Sequence, residues 1–470
     1  MPAEVAIIHG WSDTSKSFHD LRDFLGRNGY EVRQIWRGDY VSKDDDVRVP
    51  DVAKRMQGVI QELIAQRQLT VPFDLVVHST GGLVAREWVA TYYPDGAGCP
   101  AKRIIMLAPA NFGSRLAALG KSMIGRIAKG WNNWFQTGQE MLRGLELASP
   151  YQWHLATRDL LDPEGRNGTG PYGNGRIWPF VIAGTRGYSG GLREIVNERG
   201  SDGTVRPAAA NLNVVGMTID FSTGASRPAI RPWTSRVAAS RVPMAILPDR
   251  DHGSIVRPDD AVAGDDATRP RLGRLILQAL ACGSDSEYAQ IAKQWYELSE
   301  ETHALRNSLP ARAEERGNLH QYMQFVVRAR DDHGQPVDDY FLEFFSPRMK
   351  GDRDVVYFHQ NVLEHVHTNS VSPSFRCLFV DRTDLVEGFY ALARTPERQT
   401  LAVSVSAAQL GRNIRYFDKT SEGARGQVVI HALAAAARDD LDARVRRNTT
   451  HLIDMILPRQ PVDKVFKLAR

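Results

Sequence analysis

Leu75-Val-Val-His-Ser-Thr-Gly-Gly-Leu83 is the stretch on which the reading of this 470-residue chain turns. Phe73–Val77 reads as a buried strand and Gly82–Tyr93 as a helix, so a strand runs straight into Ser79 and a helix opens just beyond it. A tight strand-to-helix turn brings neighbouring backbone very close, which requires tiny side chains such as Gly81 and Gly82 beside it. The turn lifts the Ser79 hydroxyl above the sheet edge, over a helix N-terminus that favours an anionic intermediate. A serine that merely caps an ordinary helix is the competing reading.

Outward from this turn, short apolar runs alternate with amphipathic stretches, the pattern of a parallel sheet flanked by helices. Val5–Ile8 reads as the first strand, Phe18–Arg27 as a helix with Leu21, Phe24 and Leu25 at helical spacing, and Tyr30–Trp36 as a strand. Val52–Arg67 places Val52, Met56, Val59, Ile60, Leu63 and Ile64 on one helical face. Arg103–Leu107, Pro179–Ala183 and Arg241–Leu247 supply further core strands, and Leu272–Ala281 a closing helix. A first domain is therefore expected over residues 1–285, interrupted at about 111–161 by a helical cap, followed by a helical linker over 286–315. From residue 316 to 470 alternation takes over, and Tyr322–Arg328 and Tyr340–Phe345 flank the hairpin signal Asp331-Asp-His-Gly334. Arg376–Val380, Leu401–Val405, Val428–His431 and Leu452–Leu457 are further strands, so this part reads as an all-β, sandwich-like domain.

Val77-His78-Ser79-Thr80-Gly81 resembles the Gly-x-Ser-x-Gly motif of the α/β-hydrolases, in particular their lipase and esterase branch, with Val77 in place of the first glycine. Ile7-Ile-His-Gly-Trp11 follows the first strand, where similar lipases also carry His-Gly. The resemblance covers residues 4–280 and implies an α/β-hydrolase fold, a serine nucleophile at Ser79 and an oxyanion hole from the backbone N–H groups of Trp11 and Thr80. It also implies an acid and a histidine further along the chain.

Asp202, in the Gly-flanked Glu198-Arg-Gly-Ser-Asp-Gly-Thr-Val205, is the preferred acid, and Asp220 in Thr218-Ile-Asp-Phe221 is its rival. His252 lies in Asp249-Arg-Asp-His-Gly-Ser254, after the last core strand and before the closing helix, where the family's base lies. His78 is expected to point into the sheet, His9 to belong to the oxyanion loop, and Arg86 to be a solvated or structural charge.

In the cap, Trp131, Trp134 and Phe135 stand among Arg115, Lys121, Arg126, Lys129 and Arg143, with Glu140 the only acid from Asn111 to Gly144. An apolar face with a basic fringe suits a lid that meets lipid headgroups or acyl chains, giving peripheral membrane contact. A helical cover for the core is the plainer alternative.

Composition narrows the rest. Lys+Arg 59 against Asp+Glu 55 gives +4 over the whole chain, too diffuse for a nucleic-acid binder. Cys99, Cys282 and Cys377 are odd in number and far apart, which argues against a disulfide framework and a zinc module. His359, His365 and His367 near Glu364 show no third ligand and read as solvated histidines, so neither a metal nor a cofactor is expected. A strand starting at Val5 leaves no room for a signal peptide, and no apolar run spans a bilayer, so a cytoplasmic protein, or one exported by a non-classical route, is expected. The expected function is hydrolysis of carboxylic esters, with lipid esters preferred, through a Ser-Asp-His triad and an acyl-enzyme. The alternatives are an antibacterial lipase effector with the same chemistry and a non-catalytic binding protein on a hydrolase scaffold.

Overall fold

The computed structural model describes residues 4–9, 18–30, 35–38, 44–118, 138–166, 168–189, 194, 197–223, 228–238, 241–259, 271–347, 352–393, 395, 399–408, 410–416, 427–432 and 444–468. They form two compact units: Met1–Asp162, Arg166–Asn213 and Ser235–His320 make the first, and Pro163–Gly165, Val214–Thr234 and Gln321–Arg470 the second.

Along the chain the first unit contributes β1 (Glu4–Ile8), α1 (His19–Arg27), β2 (Ile35–Gly38), α2 (Val49–Ala65), β3 (Phe73–His78), α3 (Thr80–Tyr92), β4 (Ala101–Leu107), α4 (Pro150–Asp159) and β5 (Trp178–Gly184). The chain then crosses to the second unit for β6 (Val215–Asp220) and β7 (Ala229–Pro232). It returns for β8 (Met244–Leu247), α5 (Arg271–Ala281) and α6 (Asp285–Ala304). The first unit's sheet has the order β8-β5-β4-β3-β1-β2, with every pair parallel. β3 is buried along its whole length, including Asp74, whose two carboxylate oxygens accept from Arg103 Nη1 at 3.0 and 2.9 Å. α2 buries Val49, Val52, Ala53, Gln57 and Ile60, and α5 buries Leu272, Leu275, Ile276, Ala279 and Leu280, each from a single face.

The stretch expected to be a linker belongs to this core. Ser284 caps α6 by accepting the Glu287 N–H at 3.3 Å, and Tyr288, Ile291 and Trp295 are buried. α6 also closes the open edge of the sheet. Ser299 Oγ accepts the Ile246 N–H at 3.1 Å, and its single hydrogen is shared between the carbonyls of Trp295 at 2.8 Å and Met244 at 3.2 Å. Thr302 Oγ1 donates to the Ile246 carbonyl at 2.7 Å. An edge strand leaves backbone groups unpaired, and these two hydroxyls pair those of β8.

The second unit contains β9 (Tyr322–Asp331), β10 (Tyr340–Phe345), β11 (Leu363–Thr368), β12 (Phe375–Asp381), β13 (Thr400–Ala407), β14 (Gln427–Ala432) and β15 (Thr450–Leu457), with short helical turns between some of them. One sheet has the order β11-β12-β9-β15-β6-β7 and is mixed, since β9–β15 and β15–β6 are parallel. The other, β10-β13-β14, is antiparallel. Phe325 and Val327 of the first sheet share a core with Leu342 and Phe344 of the second, and the Phe325 and Phe344 rings stack at 6.0 Å. The expected hairpin pairs only next to its turn. Arg330 lies antiparallel to Pro336, the Asp331 N–H donates to the Gln335 carbonyl at 2.8 Å and the Val337 N–H to the Ala329 carbonyl at 3.1 Å, and Tyr340–Phe345 does not continue the pairing. Asp331 Oδ1 accepts the N–H groups of His333 at 3.0 Å and Gln335 at 2.8 Å, and the chain then leaves for the opposite sheet. Alternation marks an inner face, and here two inner faces meet across the core instead of pairing edge to edge.

The division of the chain also differs from the linear boundaries read in the sequence. β6 and β7, which carry Asp220, leave the first unit to extend the second unit's sheet.

Candidate active site

Ser79 occupies the junction between β3 and α3 with φ 53° and ψ −121°. This is a backbone conformation that a non-glycine residue holds only when its surroundings impose it. The impositions are visible. The Ser79 N–H donates to the Leu107 carbonyl at 3.0 Å, and the Ser79 carbonyl accepts the N–H groups of Gly82 and Ala110, each at 3.1 Å. A Cβ on Gly82 would stand 2.5 Å from the Pro109 Cβ, and one on Gly81 would stand 3.0 Å from the carbonyl oxygens of both Ile8 and His9. The two glycines thus let the start of α3 meet the loop after β4 and the chain leaving β1. Val77 fits where a glycine was expected, since its Cβ lies at ordinary contact distance, 3.5 Å, from that position on Gly81.

Three side chains from distant parts of the sequence meet here. His252 Nε2 lies 3.0 Å from Ser79 Oγ, and its Nδ1 lies 2.8 Å from Asp202 Oδ2. The remaining carboxylate oxygen, Asp202 Oδ1, accepts the N–H groups of Thr204 at 2.9 Å and Val205 at 2.6 Å. The His252 N–H donates to the Asp202 carbonyl at 2.9 Å, so the acid loop holds the histidine by backbone as well as side chain. All three residues are buried. With Asp202 accepting at Nδ1, the Nε2 lone pair faces the Ser79 hydroxyl, the arrangement of a base beside a nucleophile.

The loop around His252 is shaped by its neighbour. Asp251 Oδ1 accepts the N–H groups of Gly253 at 3.0 Å and Ser254 at 2.8 Å, and Arg186 donates to Oδ2 at 3.1 Å. Burial raises the Asp251 carboxyl, but the hydrogen bonds from Ser254 and Arg186 outweigh it and hold the group below the usual range.

A profile of the alpha/beta hydrolase family matches residues 5–265. The chain belongs to that family. Two solved structures of phospholipase PlaB from Legionella pneumophila are each 25% identical to it and cover 100% of this chain and 96% of their own. Their TM-scores are 0.79 and, for the structure in complex with thio-NAD, 0.78. No curated protein matches in sequence.

Within this alpha/beta hydrolase, Asp220 makes a different set of contacts. It accepts from the Ser222 N–H at 2.9 Å and Oγ at 2.6 Å, with Arg231 at 3.5 Å, on a strand of the second unit. Thr80 is the first residue of α3, where backbone N–H groups have no partner within the helix. Trp11, Trp131, Trp134 and Phe135 lie outside the described residues. Arg86 is not solvated. It is fully buried and donates Nε and Nη2, each at 2.9 Å, to the two oxygens of Asp159. Its Nη1 donates to the Asn111 carbonyl at 3.0 Å, tying α3 to the loop that follows β4.

His78 is the contributor that sequence reasoning missed. It does lie among core residues, but its Nε2 stands 3.0 Å from the His252 carbonyl oxygen. The pairing spans 174 positions, and no local spacing could have signalled it.

Proposed function

We propose that this protein is a serine hydrolase of carboxylic esters, acting on lipid esters through Ser79, His252 and Asp202. The observation that carries the reading is the unbroken chain from Ser79 Oγ to His252 Nε2 and from His252 Nδ1 to Asp202. His252 takes the Ser79 proton as the hydroxyl oxygen attacks the ester carbonyl carbon, and Asp202 stabilises the imidazolium that forms. The Thr80 N–H at the start of α3 serves the tetrahedral oxyanion, and one such donor contributes about 3–4 kcal/mol to the transition state. The imidazolium gives its proton to the departing alkoxide, leaving an acyl-enzyme at Ser79. A water deprotonated by the same histidine then releases the acid and restores the hydroxyl.

Full-length similarity to a phospholipase favours a lipid ester, and phospholipid is the headgroup-bearing substrate to try first. A fluorophosphonate probe should label Ser79, and Ser79→Ala should lose both labelling and turnover of p-nitrophenyl esters and phospholipid vesicles. A well-folded wild-type protein that neither labels nor turns over would favour the binding-protein alternative. Preference for short soluble esters over long chains would remove the lipid part of the proposal.

A further inference from the structure

We infer that His78 is a positioning residue for the base: its Nε2–H holds the backbone carbonyl of His252 and so sets the imidazole against Ser79. The inference rests on the proposed serine-hydrolase reading and adds a fourth side chain to it.

A carbonyl oxygen only accepts, so the contact of 3.0 Å between His78 Nε2 and the His252 oxygen puts the hydrogen on Nε2. His78 Nδ1 then keeps its lone pair and has no hydrogen-bond partner among the described residues. The ring is buried, with its centroid 4.7 Å from the His252 ring and the Phe18 ring meeting it edge-on at 5.8 Å.

His252 stands in a loop after β8, and three of its groups are tied. Its N–H and Nδ1 both go to Asp202, which is itself on a loop. Its carbonyl goes to His78, the last residue of β3, which lies inside the parallel sheet and leads directly into Ser79. The hydrogen bond therefore references the base to the nucleophile's own strand, one covalent step from Ser79. Side chains on rigid elements place reacting groups better than loops do, and a displacement of about 1 Å can cost 10²-fold in rate.

The chemistry of the neighbourhood suits this role. Burial, then the nearby His252 and His9 rings, hold His78 neutral far below the usual histidine range. It remains a one-proton donor and adds no second positive charge beside the imidazolium that forms in the reaction.

A side chain that only filled space would be replaced well by phenylalanine, whereas a donor would be replaced by glutamine, whose amide nitrogen reaches about as far as imidazole Nε2. The test measures fluorophosphonate labelling of Ser79, with rate per competent site and end-point recorded separately, alongside kcat and KM on a p-nitrophenyl ester. His78→Phe should label to the full end-point at least tenfold more slowly than wild type, with kcat reduced by the same factor and KM within twofold. His78→Gln should stay within threefold of wild type. His78→Asn, too short to reach the carbonyl, should behave like the Phe variant, and it serves if the Phe variant fails to fold. Equal per-site rates in Phe and wild type, a Gln variant no better than Phe or Asn, or a lower end-point at an unchanged rate would each overturn the positioning role. An inactive, unlabelled wild type would instead remove the serine-hydrolase reading beneath it.

Discussion

Asp202→Asn tests the proposed chemistry at its most specific point, because the structure dictates how the new amide must sit. The Thr204 and Val205 N–H groups, at 2.9 and 2.6 Å, both need an acceptor at Oδ1. The amide oxygen takes that place, since an NH2 group there would face two donors and leave them buried and unpaired. The amide NH2 then falls at the position of Oδ2, 2.8 Å from His252 Nδ1. Nδ1 must now accept, which moves the ring proton to Nε2, and an Nε2–H aimed at Ser79 Oγ cannot take the serine proton. The expected loss in kcat is about 10³–10⁴-fold, equivalent to about 4–5.5 kcal/mol of lost transition-state stabilisation. The substitution changes almost no volume, so the melting temperature should move little. Turnover of a p-nitrophenyl ester per folded protein is the assay, with Asp220→Asn as the companion expected to retain full activity. An Asp202→Asn enzyme within tenfold of wild type, or an inactive Asp220→Asn enzyme, would refute the tautomer argument and the assignment of the acid.

Two further outcomes follow from buried charge. Asp159→Ala leaves Arg86 charged and fully buried without its bidentate partner, so unfolding in denaturant should show a loss of about 3–5 kcal/mol. The apolar pair Arg86→Met with Asp159→Leu should recover most of that, and a single variant as stable as wild type would contradict the reading. His451 is fully buried, and burial, with Arg446 next, lowers its pKa from 6.5 to about 3. Because its folded pKa is depressed, the unfolded chain binds this proton first. Its contribution is therefore complete above about pH 6.5 and is lost as pH falls toward about 3, at up to about 1.4 kcal/mol per pH unit. His451→Gln can still accept the Arg446 N–H, which the native Nε2 does at 3.0 Å, and should flatten that slope between pH 6 and 4; an unchanged slope would count against it.

Much of the candidate site was legible because its signals are local. A strand ending at His78, a serine and two glycines in succession define a turn by sterics alone, and the same sterics appear as the 2.5 Å clash that any Cβ on Gly82 would meet. The order of Ser79, Asp202 and His252 along the chain was equally readable. Choosing Asp202 over Asp220 was a weighing of loop character, and the hydrogen bond to His252 Nδ1 is a fact of the tertiary structure.

The sequence alone told strand from helix for most core segments of the first unit, since apolar periodicity reports how a segment is buried. It does not report against what. Val215–Asp220 is not among the strands read from the sequence, and it is pairing with Thr450–Leu457, in the register His451 opposite Val215, that makes it one and assigns it to the second sheet. The helix over Asp285–Ala304 reads as a linker until Ser299 and Thr302 are seen pairing the exposed edge of Met244–Leu247. His78 reads as core filling until its Nε2 is found on the His252 carbonyl. In each case the deciding interaction is a hydrogen bond between groups far apart in sequence, which no local pattern encodes and only the folded chain brings within 3 Å or so.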